Sequence, residues 1–259
     1  MVYVYGGTMR FQFLTKNKME KNQIYNIDCD ELIGRLYAEK LRGGVDKYLI
    51  VTDPPFNIWY HYDGYKDNME ADEYYEWMWF VFTTLCCPFV VIHYPEEIYK
   101  IAFQVWEFPD KVVSRVYNSN TAKQHRDIAF FWVEPDFKKV RQPYKNPKDK
   151  RIKKLIAEWK TWGRLYDRWN INQVKNVSKK DNNHPCVMPL EVMKNIIWIL
   201  PEDYIIVDPF MWSWTTAVAC KELWRNFIWS EINQTYIDIA NRRLMESKSP
   251  IKDAVKSPR

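Results

Sequence analysis

The sequence predicts an α/β domain with a mostly parallel sheet, helices on both faces of that sheet, and a basic insertion. Three observations lead to this class. Apolar runs of strand length alternate with segments of helical periodicity along most of the 259 residues, which is typical of βαβ units. An apolar share of 47% is ample for a core. Only residues 134–183 break the alternation, and they are rich in Lys and Arg.

The first 133 residues predict five strands and three helices after an irregular segment at residues 1–20. Leu32, Ile33 and Leu36 have helical spacing. A polar and aromatic stretch with Gly64, residues 57–70, predicts a mobile loop. The predicted strands are residues 24–28, 47–52, 89–93, 112–117 and 128–133, and the predicted helices are residues 30–40, 71–85 and 96–103.

The C-terminal part returns to the same alternation. It predicts helices at residues 188–200, 215–223 and 234–245, and strands at residues 204–207 and 226–230. We therefore divide the chain into two halves of one domain, residues 1–133 and 184–246, separated by the insertion at residues 134–183 and followed by a charged, frayed tail at residues 247–259.

Composition limits the function classes. The net charge of +5 is mild, so it neither proves nor excludes a nucleic-acid partner. Five cysteines without Cys-x-x-Cys spacing argue against a disulfide framework and a zinc site, and they favour a reducing, cytoplasmic setting. We expect no membrane span, no signal peptide and no metal site, and we assign His61, His93 and His125 no chemical role.

The most informative segment is Asp53-Pro54-Pro55-Phe56, which directly follows the apolar run at residues 48–51. Two prolines fix φ and hold the backbone in one shape. A carboxylate and an aromatic ring on such a rigid loop suit a flat ring that bears an amine, because the carboxylate accepts from the amine and the aromatic face stacks. A flipped-out nucleobase is a ring of this kind.

This tetrapeptide resembles the catalytic motif Asp-Pro-Pro-[Tyr/Phe] of S-adenosylmethionine-dependent DNA adenine amino-methyltransferases, in the N4/N6 DNA methylase family. Two further segments are similar to that family. Residues 205–217, IIVDPFMWSWTTA, resemble its cofactor motif Asp-Pro-Phe-x-Gly-Ser-Gly-Thr-Thr, and residues 184–190, HPCVMPL, resemble the start of the preceding helix. The catalytic motif comes first, which is the β-class order. The resemblance spans roughly residues 24–245 and implies a Rossmann-like methyltransferase sheet.

The resemblance implies that Asp53 and the carbonyl of Pro54 accept the two hydrogens of the adenine amine while Phe56 stacks on the base. Pro54 and Pro55 keep these groups in place. Cytosine-N4 enzymes more often have Ser at the first position and glutamine-directed relatives have Asn, so Asp53 favours adenine. N4-cytosine methylation stays open as an alternative, and an ordinary turn cap is the structural alternative for Asp53.

The resemblance also places the cofactor. Asp208 ends a strand at the loop around the methionine moiety, Glu231 accepts from the ribose hydroxyls, and Asp28 lies near the cofactor adenine. Thr215 or Ser213 could equally cap a helix, Phe210 could be core, and Asp28 could be a surface residue. The full expected set is Asp28, Asp208, Phe210, Trp212, Ser213, Trp214, Thr215, Thr216, Glu231 and Asn233.

Residues 134–183 occupy the slot in which the family has its target-recognition region. Basic and aromatic side chains interleave there, which suits a nucleic-acid backbone and unstacked bases. A solvated basic loop is the alternative. The expected partner is double-stranded DNA, with a cognate restriction endonuclease also considered and monomer or homodimer left open. The expected DNA-binding residues are Lys138, Lys139, Arg141, Lys145, Arg151 and Lys154.

One departure from the family is large. Trp212 and Trp214 stand where the family's cofactor loop has Gly, and Trp224 and Trp229 also stand at Gly-type positions. An indole in that loop would exclude S-adenosylmethionine. The chain has 7 Gly and 13 Trp, where average usage predicts about 18 Gly.

We therefore hypothesise that UGA codons meaning Gly were read as Trp. The alternative is an inactive DNA-binding relative with genuine tryptophans. The surroundings of Trp77 and Trp106 suit a true Trp.

Overall fold

Alternating strands and helices dominate the fold. The computed structural model describes residues 18–59, 61–62, 65–174, 188–211 and 215–247. The strands are β1 (Gln23–Tyr25), β2 (Tyr48–Thr52), β3 (His61–Tyr62), β4 (Tyr65–Lys66), β5 (Phe89–His93), β6 (Lys111–Val116), β7 (His125–Phe131), β8 (Arg141–Pro143), β9 (Trp162–Arg164), β10 (Arg168–Asn170), β11 (Ile205–Asp208) and β12 (Phe227–Ser230). The helices are α1 (Cys29–Leu41), α2 (Ala71–Thr83), α3 (Pro95–Val105), α4 (Lys150–Ala157), α5 (Leu190–Ile199), α6 (Thr215–Glu222) and α7 (Gln234–Glu246), with a 3-10 turn at Phe137–Lys139.

Eight strands form the main sheet in the order β1-β12-β11-β2-β5-β7-β6-β10. β7 pairs antiparallel with both of its neighbours, and every other pair in the sheet is parallel. This confirms the mostly parallel α/β class. Two small antiparallel pairs, β3-β4 and β8-β9, stand outside the main sheet.

Alternating side chains of β2 enter two separate cores, one on each face of the sheet. Leu49 and Val51 join the core covered by α5, α6 and α7, whereas Tyr48 and Ile50 join the core covered by α1, α2 and α3. All five residues of β2 are buried. A strand that is buried on both faces is an uninterrupted apolar run because each face needs its own apolar set.

The sheet order brings together the two segments that the sequence assigns to catalysis and to the cofactor. β2 and β11 are neighbours and run parallel, with Ile205 opposite Tyr48 and Val207 opposite Ile50. The carboxyl ends of both strands therefore lie at the same edge of the sheet, where ligands of open α/β sheets bind.

Three parts of the structure differ from the sequence expectations. The stretch predicted as a loop at residues 57–70 contains the short β3-β4 pair. β10, in the basic insertion, pairs with β6 and extends the main sheet. α3 begins at Pro95, one residue before the predicted start, because proline is favoured in the first helical turn. The expectations for residues 1–17, for 184–187 and for most of the tail lie outside the described residues.

Candidate active site

The ends of β2 and β11 are joined by a side-chain hydrogen bond. Thr52 Oγ1 donates to Asp208 Oδ1 over 2.7 Å. Residues 53–56 follow Thr52 directly, and Phe210 follows Asp208 by two positions. The catalytic and cofactor segments of the sequence analysis therefore meet at one point of the sheet edge, although 156 residues separate Thr52 from Asp208.

Asp53 has one paired and one unpaired carboxylate oxygen. Oδ2 lies 3.6 Å from Arg126 Nη1. Oδ1 is buried and has no hydrogen-bond partner among the described residues. The side chain as a whole is 30% exposed, but Oδ1 itself is not, so a ligand reaches this oxygen only when neighbouring groups move. Desolvation raises the pKa of Asp53 to about 6 against the opposing charges of Arg126 and Arg115. A buried acceptor without a donor is costly to leave unpaired.

The positive charges of two arginines, Arg126 and Arg115, act on Asp53. Arg115 on β6 is directly opposite Arg126 on β7, an arrangement of like charges that is unfavourable by itself. Arg115 is 1% exposed. Its Nε donates to the carbonyl of Ile171, and burial together with the charge of Arg126 lowers its pKa to about 10. The carboxylate of Asp53 offsets this concentrated positive charge.

Phe56 lies in an aromatic cluster. Its ring stacks on His93 with centroids 4.2 Å apart and meets the edge of Tyr94. The guanidinium carbon of Arg126 lies 4.4 Å from the Phe56 centroid, and Phe56 is only 9% exposed. The family resemblance implies that Phe56 stacks on a base. Here its ring already contacts His93 and Arg126, so a base stacks on Phe56 only after Arg126 moves.

A buried hydrogen-bond chain fixes the second proline. The backbone N–H of Tyr94 donates to His93 Nδ1 over 2.8 Å, so the proton of the neutral imidazole is on Nε2. His93 Nε2 therefore donates to the Tyr74 hydroxyl over 3.1 Å, and Tyr74 donates to the carbonyl of Pro55 over 2.7 Å. Burial lowers the pKa of His93 to about 3, which keeps the ring neutral.

A cleft of about 360 Å³ opens beside the 53–56 loop. Its walls are mostly apolar and aromatic, and they include the carboxylates Asp28, Asp30, Glu73 and Glu231. A cleft of this chemistry fits a nucleoside, because apolar walls cover a purine and carboxylates accept from ribose hydroxyls. The lining includes Pro55, Tyr65, Trp77, Phe210, Asp28, Ser230, Glu231 and Ile232.

Glu231 and Asp28 sit differently in this cleft. Glu231 is 8% exposed, Asn233 N–H donates to its Oε1 over 2.8 Å, and desolvation raises its pKa to about 7. Asp28 caps α1 by accepting from Glu31 N–H over 2.7 Å. Asn233 caps α7 with its side chain and is not part of the cleft wall. Glu231 is thus the better placed acceptor for a ribose.

Asp208 has an internal role. It is 3% exposed and accepts from Thr52, from Phe210 N–H and from Thr216 Oγ1, and burial raises its pKa to about 6. It therefore shapes the loop after β11 and joins that loop to α6, which begins at Thr215. Phe210 lines the cleft and touches Trp77, with centroids 5.0 Å apart. Trp212, Ser213 and Trp214 lie outside the described residues.

The described part of the insertion, residues 134–174, has a larger net positive charge than the whole chain. It has 12 Lys and Arg against 5 Asp and Glu, a balance of +7, whereas the whole chain has +5. Lys138, Arg141, Lys145, Arg151 and Lys154 are exposed. Lys139 is an exception because its Nζ donates to the carbonyl of Leu200 and approaches Glu202.

Sequence reasoning did not single out Arg115, Arg126, Tyr74 or His93 as site residues. They come from β6, β7, α2 and β5, and only the sheet order brings them to the 53–56 loop. A weak signal existed in β6, where Arg115 stands two residues after Val113 and therefore on the same, buried face of the strand. No group of three or more His, Cys, Asp or Glu side chains suited to a metal occurs in the part of the chain that the structure describes.

Comparison with known proteins identifies the family. A family model described as DNA methylase matches residues 90–242, more than half of the chain. The type II methyltransferase M.BglII of Bacillus subtilis is 27% identical over 257 residues, covering 86% of this chain and 69% of that protein. The DNA adenine methyltransferase YhdJ of Escherichia coli K12 is 26% identical over 234 residues, covering 76% and 75%.

The fold has solved counterparts. The crystal structure of the M1.HpyAVI–SAM complex superposes with a TM-score of 0.55 at 23% identity, covering 86% of this chain and 98% of that one. The family match and the Rossmann-like fold agree with the site geometry. The chain belongs to the DNA methylase family of S-adenosylmethionine-dependent DNA methyltransferases.

Proposed function

We propose that this chain methylates the exocyclic N6 amine of adenine in double-stranded DNA after the base has been flipped out of the helix. The unpaired Oδ1 of Asp53 carries the proposal. It is a buried acceptor on a rigid loop, and Pro55 of the same loop forms part of the cofactor cleft. An amine hydrogen of the target base supplies the donor that this oxygen lacks.

The exocyclic amine is a poor nucleophile because its lone pair is delocalised into the ring. In the proposed mechanism, Asp53 accepts one amine hydrogen and the carbonyl of Pro54 accepts the other. Both contacts draw the nitrogen toward tetrahedral geometry and expose its lone pair on the side of the cleft. Arg126 keeps Asp53 ionised, and the Tyr74 hydroxyl fixes the loop at Pro55.

When bound, S-adenosylmethionine would supply an electrophilic methyl group, and Asp53 would accept the proton that N6 loses as it gains that methyl. Glu231 would hold its ribose, and Phe210 and Ile232 would cover its purine. The positive excess of residues 134–174 supports a role of the exposed lysines and arginines in binding DNA phosphates. Likeness to type II methyltransferases supports a restriction–modification setting with a cognate endonuclease. The free cysteines Cys29, Cys86, Cys87 and Cys220 support a reducing, cytoplasmic compartment.

Adenine is favoured over cytosine by two observations. The first residue of the motif is Asp53 rather than Ser. One relative is named a DNA adenine methyltransferase, and the match to it covers 75% of that relative's length. No observation specifically favours N4-cytosine as the target.

The experiment compares three proteins: the chain as written, a double variant with Trp212→Gly and Trp214→Gly, and the double variant with Asp53→Asn added. We expect isothermal titration to show S-adenosylmethionine binding by the double variant and none by the chain as written. Digestion of methylated DNA to nucleosides should show N6-methyladenine from the double variant. Asp53→Asn should lower the rate about 100-fold or more with cofactor affinity within threefold.

The results separate the parts of the proposal. N4-methylcytosine would overturn the choice of base, and an undiminished rate in the Asp53→Asn protein would overturn the catalytic assignment. Cofactor binding by the chain as written would contradict the steric argument about the two tryptophans.

A further inference from the structure

In the described parts of the chain, tryptophan occupies five of the nine backbone positions with positive φ. Among the described residues, eight non-glycine residues have positive φ. Five of the eight are tryptophans, with φ between 55° and 64°: Trp59, Trp106, Trp132, Trp159 and Trp224. Two of the other three are Asn22 and Asn57, a residue type that tolerates this conformation. Only a few per cent of non-glycine residues adopt it, and bulky ones are outliers.

Three of these tryptophans end helices with the same hydrogen bonds. After α3, Trp106 N–H donates to Phe103 O and the next N–H, of Glu107, donates to Ala102 O. The same pair of bonds, three and five residues back, occurs at Trp159 after α4 and at Trp224 after α6, with N···O distances of 2.9–3.3 Å. This is the Schellman motif, in which the left-handed residue is usually Gly.

A fourth helix provides an internal reference. α1 ends with Gly43 N–H donating to Lys40 O and Gly44 N–H donating to Glu39 O, both at 3.1 Å. Gly43 has φ +84° and takes the place that Trp106, Trp159 and Trp224 take in the other three helices. At this one end the chain has the residue that the motif favours.

At four of these positions the indole ring is mostly in solvent, with exposed fractions of 75% for Trp59, 83% for Trp106, 90% for Trp159 and 69% for Trp224. Trp132 is 40% exposed, and its ring meets that of Phe89 edge-on with centroids 5.4 Å apart. By contrast, Trp77 and Trp169 donate their indole N–H to Asp30 and to the carbonyl of Tyr166, at 2.8 and 2.7 Å. Solvent-exposed rings on a disfavoured backbone gain little packing energy in return for the strain.

Trp106 has the aromatic neighbour that the sequence suggests, because its ring lies 5.4 Å from that of Phe103. It nevertheless ends α3 in a left-handed conformation with an exposed ring, and this backbone favours Gly over the expected true Trp. The expectation for Trp224 is supported by its left-handed backbone. Trp229 is a different case, since its ring is fully buried and its Nε1 has no partner among the described residues.

We propose that positions 59, 106, 132, 159 and 224 are glycine in the protein as its own organism makes it. The written tryptophans arise where a UGA codon that the organism reads as Gly has been translated as Trp. Trp212 and Trp214 share this origin on sequence grounds alone. The inference rests on backbone conformation and is independent of the proposed methylation chemistry.

The direct test has two readouts. Sequencing the gene should show UGA at codons 59, 106, 132, 159 and 224 and UGG at codons 77 and 169. Peptide mass spectrometry of the protein purified from its own host should find Gly at those five positions. UGG at the five codons, or Trp in the native peptides, would overturn the proposal.

Thermal unfolding tests the conformational argument separately. Trp159→Gly removes a strained side chain that has few contacts, so we expect Tm to rise by about 2–4 °C. The matched control is Trp77→Gly, which loses a bonded indole within α2 and should lower Tm. A lower Tm for Trp159→Gly would contradict the argument. Absence of methylation by a glycine-bearing protein would refute the proposed function and leave the codon result unchanged.

Discussion

Arg126 and Asp53 form an ion pair with 3.6 Å between Nη1 and Oδ2, and the same guanidinium lies 4.4 Å from the centroid of Phe56. The pair uses only one carboxylate oxygen. Oδ1 has no partner among the residues that the structure describes. Arg126 therefore supports the charge of Asp53 without occupying the acceptor that the target amine needs.

Removing the positive charge of Arg126 should shift the acid limb of the pH–rate profile to higher pH. Asp53 has a pKa of about 6, raised by burial and lowered by Arg126. The carboxylate is the active form, so activity falls as pH drops through that pKa. Without the opposing charge the pKa rises further, and we expect Arg126→Gln to lose rate at pH 6.5 and to recover it near pH 8.5. The measurement is kcat against pH in the glycine-bearing double variant.

The parent protein serves as the reference for this profile. An acid limb at the same pH in both proteins would show that Arg126 does not act on Asp53 through its charge. A fall in kcat that is equal at every pH would instead assign Arg126 to base positioning.

The neighbouring tyrosines Tyr74 and Tyr75 provide a matched pair of variants. Tyr74→Phe removes the hydroxyl that binds the Pro55 carbonyl and accepts from His93. We expect kcat to fall about 3- to 10-fold, which corresponds to one net hydrogen bond, with the dissociation constants for cofactor and DNA unchanged. Single-turnover kinetics and titrations measure both quantities.

Tyr75→Phe is the control because the Tyr75 hydroxyl bonds Glu97 away from the 53–56 loop. It should leave kcat within twofold of the parent. Equal losses in both variants would remove the positioning role of Tyr74.

Cofactor affinity should depend on pH through Glu231. Desolvation raises its pKa to about 7, so its acceptor form is lost as pH falls below 7. We expect the dissociation constant for S-adenosylmethionine to fall as the pH rises from 6 to 8. Glu231→Gln should weaken binding about tenfold at pH 8, as loss of a charge-assisted hydrogen bond predicts, and should flatten the pH dependence.

The control for this series is Asp28→Asn. Asp28 caps α1, and the change retains a capping side chain. A pH dependence that persists in Glu231→Gln would exclude Glu231 as its source.

DNA affinity should depend on the exposed lysines and arginines of the insertion, rather than on the net charge of the chain alone. Lys145→Ala, Arg151→Ala and Lys154→Ala together remove three exposed cations of the insertion. We expect weaker DNA binding and a shallower plot of log K against log salt, by roughly 0.9 for each phosphate contact removed. Fluorescence anisotropy over a range of salt concentrations measures both.

The matched triple variant is Lys18→Ala, Lys21→Ala and Lys47→Ala, whose cations pair with Asp46 or Asp203 outside the insertion. It changes the net charge equally. If the two triple variants lose the same affinity and slope, the insertion is not the DNA-binding surface.

Much of the fold follows from local patterns. The run at residues 48–51 is apolar throughout because β2 is covered on both faces, and the strand at residues 89–93 has the predicted bounds. The position of residues 53–56 after a buried strand was enough to place them at the sheet edge. The alternation of strands and helices along the chain then predicts a mostly parallel sheet with helices on both faces.

The rest of the site depends on contacts that local patterns do not contain. Arg126 reaches Asp53 only because β7 runs antiparallel between β5 and β6. Tyr74 is one of several aromatic residues in α2, and nothing in its neighbourhood separates it from Tyr75. β10 joins the sheet through pairing with β6, more than 50 residues away, although the charge of its surroundings suggests a loop.

The bond between Thr52 and Asp208 has a consequence for how such a gene can evolve. It connects β2 and β11, which meet by lateral strand pairing. This pairing does not depend on which of the two segments is synthesised first. Rejoining the coding segments in the opposite order would preserve the same neighbours at the reaction centre. Circular permutation is therefore an accessible route between genes that encode these halves in different orders.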